Sequence, residues 1–164
     1  MKSLRKIRNK IIKEPQQLDG ILQQWARENK SIVFTNGCFD LLHRGHIEYL
    51  SKAADFGDVL VIGLNSDDSV SKLKGPHRPI QDEISRAHIM AALEFVDLVV
   101  YFNEDTPYEL IQKVLPDVLV KGADYKAEDI IGYDIVKAKG GKVETIEFLP
   151  GHSTSAIEEK IKKA

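Results

Sequence analysis

The chain has 164 residues, of which 43% are hydrophobic and 29% charged. That is one globular domain, not a disordered chain, and it can bury roughly 70% of its extended surface without metal or disulfide staples. The 23 basic and 25 acidic residues leave a formal charge of −2, which argues against bulk nucleic-acid binding but leaves room for a local cationic pocket.

Residues 1–30 read as an N-terminal helical extension to a domain over 31–164. Residues 1–13 lack the apolar centre of a signal peptide, and no apolar run approaches the ~18 residues of a membrane span. The single cysteine, Cys38, cannot form an internal disulfide and so implies no oxidising compartment. A cytoplasmic protein with no membrane and no nucleic-acid partner is the expectation. Lys2, Arg5, Lys6, Arg8, Lys10 and Lys13 form a basic cluster that reads as a solvated face. Leu18, Ile21, Leu22 and Trp25 fall at i, i+3, i+4 and i+7, which predicts an amphipathic helix whose stripe packs on the domain or joins a homodimer.

From there five β-rich segments follow, at 31–36, 59–65, 98–102, 117–121 and 142–148. The second and third are nearly continuous apolar runs, as in strands covered on both faces. Helical spacing fills the intervals at about 45–56, 81–95, 107–114, 129–138 and 153–163. This alternation predicts an α/β fold: a Rossmann-like, doubly wound five-stranded parallel sheet with helices on both faces. Ligands of such sheets bind at the carboxyl ends of the strands.

Chemistry-bearing residues gather at those ends. After the first strand comes TNGCFDLLHRGH (35–46), with His43 and His46 flanking Gly45 where a helix begins. Either the two histidines are caps or core residues, or their imidazoles meet phosphate at a helix N-terminus, where N–H groups lack partners. After the second strand, Asp67 can cap a helix or help hold a divalent cation. Lys72 and Lys74, followed by Gly-Pro, read as a mobile cationic loop that is solvated or neutralises phosphates. Arg86 either pairs with Asp82 or Glu83 or reaches the same phosphates. Gly122 and Asp124 form a turn that is plain or touches a nucleoside. Ser153 or Thr154 caps the last helix, and the three hydroxyls of Ser153, Thr154 and Ser155 either serve capping alone or form a second anion site. Cys38 reads as a small buried residue beside the site, not a nucleophile. No P-loop, dinucleotide-fold, zinc-ligand or hydrolase-elbow spacing is present.

His43-Arg44-Gly45-His46 after a first strand, with Ser153-Thr154-Ser155 opening the last helix, resembles the nucleotidylyltransferase superfamily. Within it, the segments at 35–50 (TNGCFDLLHRGHIEYL), 64–80 (LNSDDSVSKLKGPHRPI), 104–106 (EDT) and 119–125 (LVKGADY) are similar to the D-glycero-β-D-manno-heptose 1-phosphate adenylyltransferases of ADP-heptose synthesis. The likeness runs from about residue 31 to 161. With no kinase half in this sequence, a free-standing transferase is expected.

The resemblance implies transfer of AMP from ATP, with Mg²⁺, to heptose 1-phosphate, giving ADP-heptose for lipopolysaccharide core synthesis. It assigns catalysis to His43, His46, Lys72 and Lys74. Nucleotide or phosphate contacts fall to Thr35, Asn36, Gly37, Phe39, Gly45, Arg86, Gly122, Asp124, Ser153, Thr154 and Ser155. Asp40 and Arg78 would meet the sugar phosphate, and Asp67 the metal or ribose; His152 receives no role. The competing readings are a glycerol 3-phosphate cytidylyltransferase-type enzyme and a non-catalytic nucleotide-binding module. A tRNA synthetase-like reading of the histidine pair fails on size and on the lack of a basic tRNA surface.

Overall fold

A computed structural model describes residues 2–123 and 126–163. The chain runs α1 (Lys2–Asn9), β1 (Ile11–Ile12), α2 (Leu18–Arg27), β2 (Ile32–Gly37), α3 (Arg44–Ala54), β3 (Val59–Asn65), α4 (Asp67–Lys74), α5 (Glu83–Ala92), β4 (Leu98–Phe102), α6 (Tyr108–Val114), β5 (Val118–Gly122), α7 (Tyr133–Ala138), β6 (Lys142–Ile146) and α8 (Thr154–Lys162). The strands form one sheet in the order β1-β4-β3-β2-β5-β6, every pair parallel. The α/β Rossmann-like expectation holds, and all five expected segments are strands. The sheet has six strands because Ile11 and Ile12 pair with Val99 and Val100 at its edge.

Successive residues of the central strands feed two cores. Phe34, Val61, Val100 and Leu119 pack on one face with Leu18 and Trp25 of α2, Ile111 of α6 and Val136 of α7. Val33, Ile62, Val99 and Val120 pack on the other with Leu50 and Ala53 of α3 and Met90 of α5. All seven residues of β3 are buried, which is why its sequence is an unbroken apolar run.

At the amino ends of the strands, an aspartate stands before each of three of them. Asp58, before β3, accepts hydrogen bonds from the Ser31 N–H and hydroxyl. Asp97, before β4, accepts from Leu60 N, and Asp117, before β5, from Ile32 N, each at 2.8 Å. These carboxylates satisfy strand-end donors of the neighbouring strand, fixing register at the end of the sheet away from the site.

Three expectations change. The N-terminal stretch is not only helical, since it supplies β1. The stripe of α2 is spent inside the chain: Leu18 and Trp25 are buried in the core, with Ile21 and Leu22 packed against it, which removes the reason for expecting a dimer there. Lys72 and Lys74, read as a mobile loop, lie in the last turn of the helix α4, which is started by the Ser66 hydroxyl accepting from Ser69 N. No helix among the described residues is long and apolar enough to cross a membrane.

Because Leu18 is fully buried, Leu18→Ala is expected to cost about 3 kcal/mol in urea unfolding. A loss below about 1 kcal/mol would mark the extension as a dispensable appendage.

Candidate active site

The strand order reverses at β2, whose neighbours are β3 and β5. A cavity of about 330 Å³ opens there, at the carboxyl ends of β2 and β5. Its floor is Asn36, Gly37, Cys38, Phe39 and Asp40 from the end of β2, with Lys121 and Gly122 from β5. Its walls are His46 and Tyr49 of α3, Lys74 of α4, Phe148 after β6 and Thr154 of α8.

The histidine pair is built by close approaches. His43 is the residue before α3 and has extended backbone (φ −141°, ψ 169°); its carbonyl accepts from His46 N at 2.9 Å while its side chain makes no cap. The first turn of α3 thus has no side-chain acceptor, unlike α4, α5 and α8, which are capped by Ser66, Asp82 and Ser153. The imidazole of His43 instead lies over Gly45, where a Cβ would meet its Nδ1 at 3.0 Å and the Cβ of His152 at 3.2 Å. His43 stacks on His46 with ring centroids 3.9 Å apart and planes 21° apart, and Phe39 meets His46 edge-on at 5.4 Å. Phe39 holds φ +44°, and its ring fills the space where a side chain on Gly37 would go.

Burial lowers the pKa of His46 from 6.5 to about 4, with the His43 and Lys74 charges adding to the shift and the Leu41 backbone offsetting part of it. Burial, then His152, lowers His43 as well. Both rings are therefore neutral near pH 7 in the free protein. Each then presents one N–H donor, and the buried Nδ1 atoms of both, with Asn36 Oδ1, have no protein partner.

Several expected site residues have structural partners. Thr35 is fully buried, its hydroxyl 2.9 Å from that of Tyr49. Arg86 is fully buried, not a surface or phosphate-facing cation: its guanidinium donates to Cys38 O (2.7 Å), Gln81 O (3.0 Å) and Asp67 Oδ1 (2.7 Å). Asp67 is committed to that ion pair and does not cap α4. Among the described residues no group of three or more His, Cys, Asp or Glu side chains is arranged to hold a metal ion.

Asp40 is buried and accepts from the backbone N–H of Ile80 and Gln81 and from Arg78 Nε. Burial pushes its carboxyl up, but those two N–H groups and the Arg78 charge outweigh it and hold the pKa below the usual value. Arg78 pairs with both Asp40 and Glu158. Ser153 Oγ accepts from Ala156 N. Lys72 and Ser155 are exposed and outside the cavity lining, and Asp124 lies outside the described residues.

Lys121, Tyr49 and Phe148 line the cavity without having been assigned to it, and Cys38, expected beside the site, lines it too. Tyr49 was findable, three residues beyond His46 on the same face of α3. Lys121 is the next-to-last residue of β5, at the carboxyl end of the sheet where ligands bind. Burial raises the pKa of Cys38, which keeps it a thiol and agrees with a non-nucleophilic role.

The cytidylyltransferase-like family model matches residues 34–160. The chain is 55% identical over 153 residues to the bifunctional protein HldE of Geobacter metallireducens, covering 93% of this chain and 31% of that protein. It is 56% identical over 153 residues to the bifunctional protein HldE of Campylobacter curvus, with the same coverage of 93% and 31%. The chain thus spans about a third of the length of these relatives. Among solved structures, a lipopolysaccharide core biosynthesis protein from Thermoplasma volcanium superposes with a TM-score of 0.57 at 27% identity, covering 73% of this chain and 97% of that one. The pantoate-β-alanine ligase of Francisella tularensis shares the fold at 18% identity, with a TM-score of 0.63 over 93% of this chain and 76% of that one.

The low pKa of His46 has a signed consequence for stability. An unfolded histidine binds its proton near pH 6.5, whereas the native ring does so only near 4. The unfolded state therefore gains the proton first, and the ring's contribution, intact above pH 6.5, is withdrawn as the pH falls toward 4. His46→Asn is expected to lose less stability than the wild type between pH 7 and 4.5; equal losses in urea titrations would mark the ring as ordinarily solvated.

Proposed function

The chain belongs to the cytidylyltransferase-like family, and from that premise we propose that it is a nucleotidyltransferase carrying AMP from ATP to heptose 1-phosphate. The products are ADP-heptose and pyrophosphate, and a cytoplasmic location goes with ATP as substrate. The observation that carries this reading is the stacked His43–His46 pair beside an uncapped helix start at the mouth of a cavity between β2 and β5. The choice of heptose and ATP rests on the sequence resemblance at 35–50, 64–80 and 119–125, and on the high identity to the HldE proteins.

In the proposed reaction an oxygen of the sugar 1-phosphate attacks the α-phosphorus of ATP in line. A new O–P bond forms, the bond from the α-phosphorus to the α,β-bridging oxygen breaks, and that oxygen leaves with pyrophosphate. The nucleophile is already an anion, so no general base is required. The residues position the groups and offset negative charge. The N–H groups of His43 and His46 donate to phosphate oxygens, with the first-turn amides of α3 beside them. Lys74 supplies positive charge at the cavity wall, and Thr154 brings the start of α8 to the cavity as well. Mg²⁺ enters the proposal as part of the MgATP substrate, since Asp67 is already paired with Arg86.

Phosphate oxygens beside His46 reverse its electrostatic setting. An adjacent anion favours the protonated ring, so nucleotide binding near neutral pH should draw a proton toward the site, where it further offsets charge on the leaving group.

His46→Ala is expected to fold normally and to lose about a hundredfold or more in kcat, the ~3 kcal/mol of one preorganised donor. The assay is pyrophosphate release with ATP or CTP, each paired with heptose 1-phosphate or glycerol 3-phosphate. Turnover of the variant near the wild-type rate refutes the role of His46. Turnover only with CTP and glycerol 3-phosphate assigns the other transferase class, and ATP binding without pyrophosphate release from any pair assigns a binding module.

A further inference from the structure

Helix α8 brings Thr154 to the cavity wall, yet none of its residues is fully buried and Ile161 projects into solvent. Its side chains supply little apolar packing to hold it in place. Its polar anchorage is more specific. Glu158 Oε1 accepts a hydrogen bond from Arg78 Nη1, with 25% and 16% of the two side chains exposed. The other ion pair of α8, Lys163 with Glu159, is internal to its own terminus. Among the described residues, Arg78–Glu158 is the side-chain ion pair that ties α8 to the rest of the domain.

Arg78 is itself held firmly. Its Nε donates to Asp40 Oδ2 at 2.8 Å, and Nη2 lies 2.7 Å from the same oxygen without the alignment of a hydrogen bond. Asp40 is fixed in turn by the backbone N–H groups of Ile80 and Gln81. The carbonyl of Arg78 accepts from Ser71 Oγ of α4, the helix that carries Lys74. One guanidinium thus sits between an immobile carboxylate at the cavity floor and a carboxylate riding on α8. Glu158 is five residues past the Ser153 cap, about 7.5 Å along the axis, at the middle of the nine-residue α8.

We infer that Glu158 is a positioning residue: through Arg78 it latches α8 onto the domain and so holds Thr154 against the cavity. A charge-assisted pair this far removed from solvent is stronger and more geometrically specific than an exposed one. Losing Glu158 frees the helix, while Arg78 keeps its pairing with Asp40. The latch rests on the proposed function only where it concerns nucleotide, because docking of α8 in the free protein is independent of any reaction.

The test is amide hydrogen exchange of the full chain without ligand, together with ATP titration by calorimetry, for wild type, Glu158→Ala, Glu158→Gln and Glu158→Asp. Exchange in α8 should rise about tenfold or more in the Ala and Gln variants while amides of β2, β3 and β5 keep their protection. The ATP Kd should rise by a similar factor with kcat at saturation within about twofold of wild type, and Glu158→Asp should recover part of both. Unchanged α8 exchange in the Ala and Gln variants overturns the latch. So does an equal rise across the sheet, which would mark a general loss of stability. If the wild type binds no ATP, the proposed function falls, and the exchange comparison still decides the latch.

Discussion

The site depends on how closely side chains approach the backbone where β2 turns into α3. Gly45 leaves a space that any Cβ would crowd, and the His43 ring occupies it with His152 behind. From there the contacts propagate: His43 stacks on His46, His46 meets the edge of Phe39, and Phe39 lies against Gly37 with a left-handed backbone. Two charged imidazoles 3.9 Å apart would repel by about 4 kcal/mol at an effective dielectric near 20. The stack is therefore stable as a neutral pair, and it becomes a place for charge only when an anion arrives to share it.

The cations around the cavity divide into two kinds, and residue chemistry explains the division. Arg86 is fully buried, with its donors directed at two backbone carbonyls and Asp67. A rigid guanidinium that cannot lose its charge suits such a joint, and here it ties α5 to the start of α4 and to the Cys38 carbonyl under the cavity. Lys74, on the last turn of α4, lines the cavity itself. A flexible ammonium there can follow a moving charge. Arg86 thus acts on the site by holding the floor in place, and Lys74 by facing what lies on it.

Much of this architecture was legible in the sequence. The apolar runs at 59–65 and 98–102 could belong only to strands covered on both faces, and the histidine pair stood where the first strand gave way to a helix. Ile11 and Ile12 could not be read as a strand, because two residues carry no periodicity and their pairing depends on Val99 and Val100, far away in the chain. Lys72 and Lys74 looked like a loop because a Gly-Pro step follows them, although Ser66 with Ser69 three residues later is a helix start. Arg86 was ambiguous for a tertiary reason. Whether an arginine points into the domain or out of it depends on acceptors such as the Cys38 carbonyl, whose position only the fold creates. The aspartates before β3, β4 and β5 carried a repeated signal, Asp followed by two apolar residues, that marks where each strand begins.

Topology then explains why these residues share one cavity. The chain leaves β2 through α3, which packs on one face of the sheet with Leu50 and Ala53, and it leaves β5 through α7, which packs on the other with Val136. Two neighbouring parallel strands whose crossovers depart to opposite faces must part at their carboxyl ends, and the gap between them cannot be filled by either helix. Residues 36–40 and 121–122 are thus brought face to face by the winding of the sheet, whatever their side chains. Side-chain identity decides only what that gap can hold. With imidazoles, an ammonium and an uncapped helix start on its rim, a chain of phosphates suits it far better than an uncharged ligand.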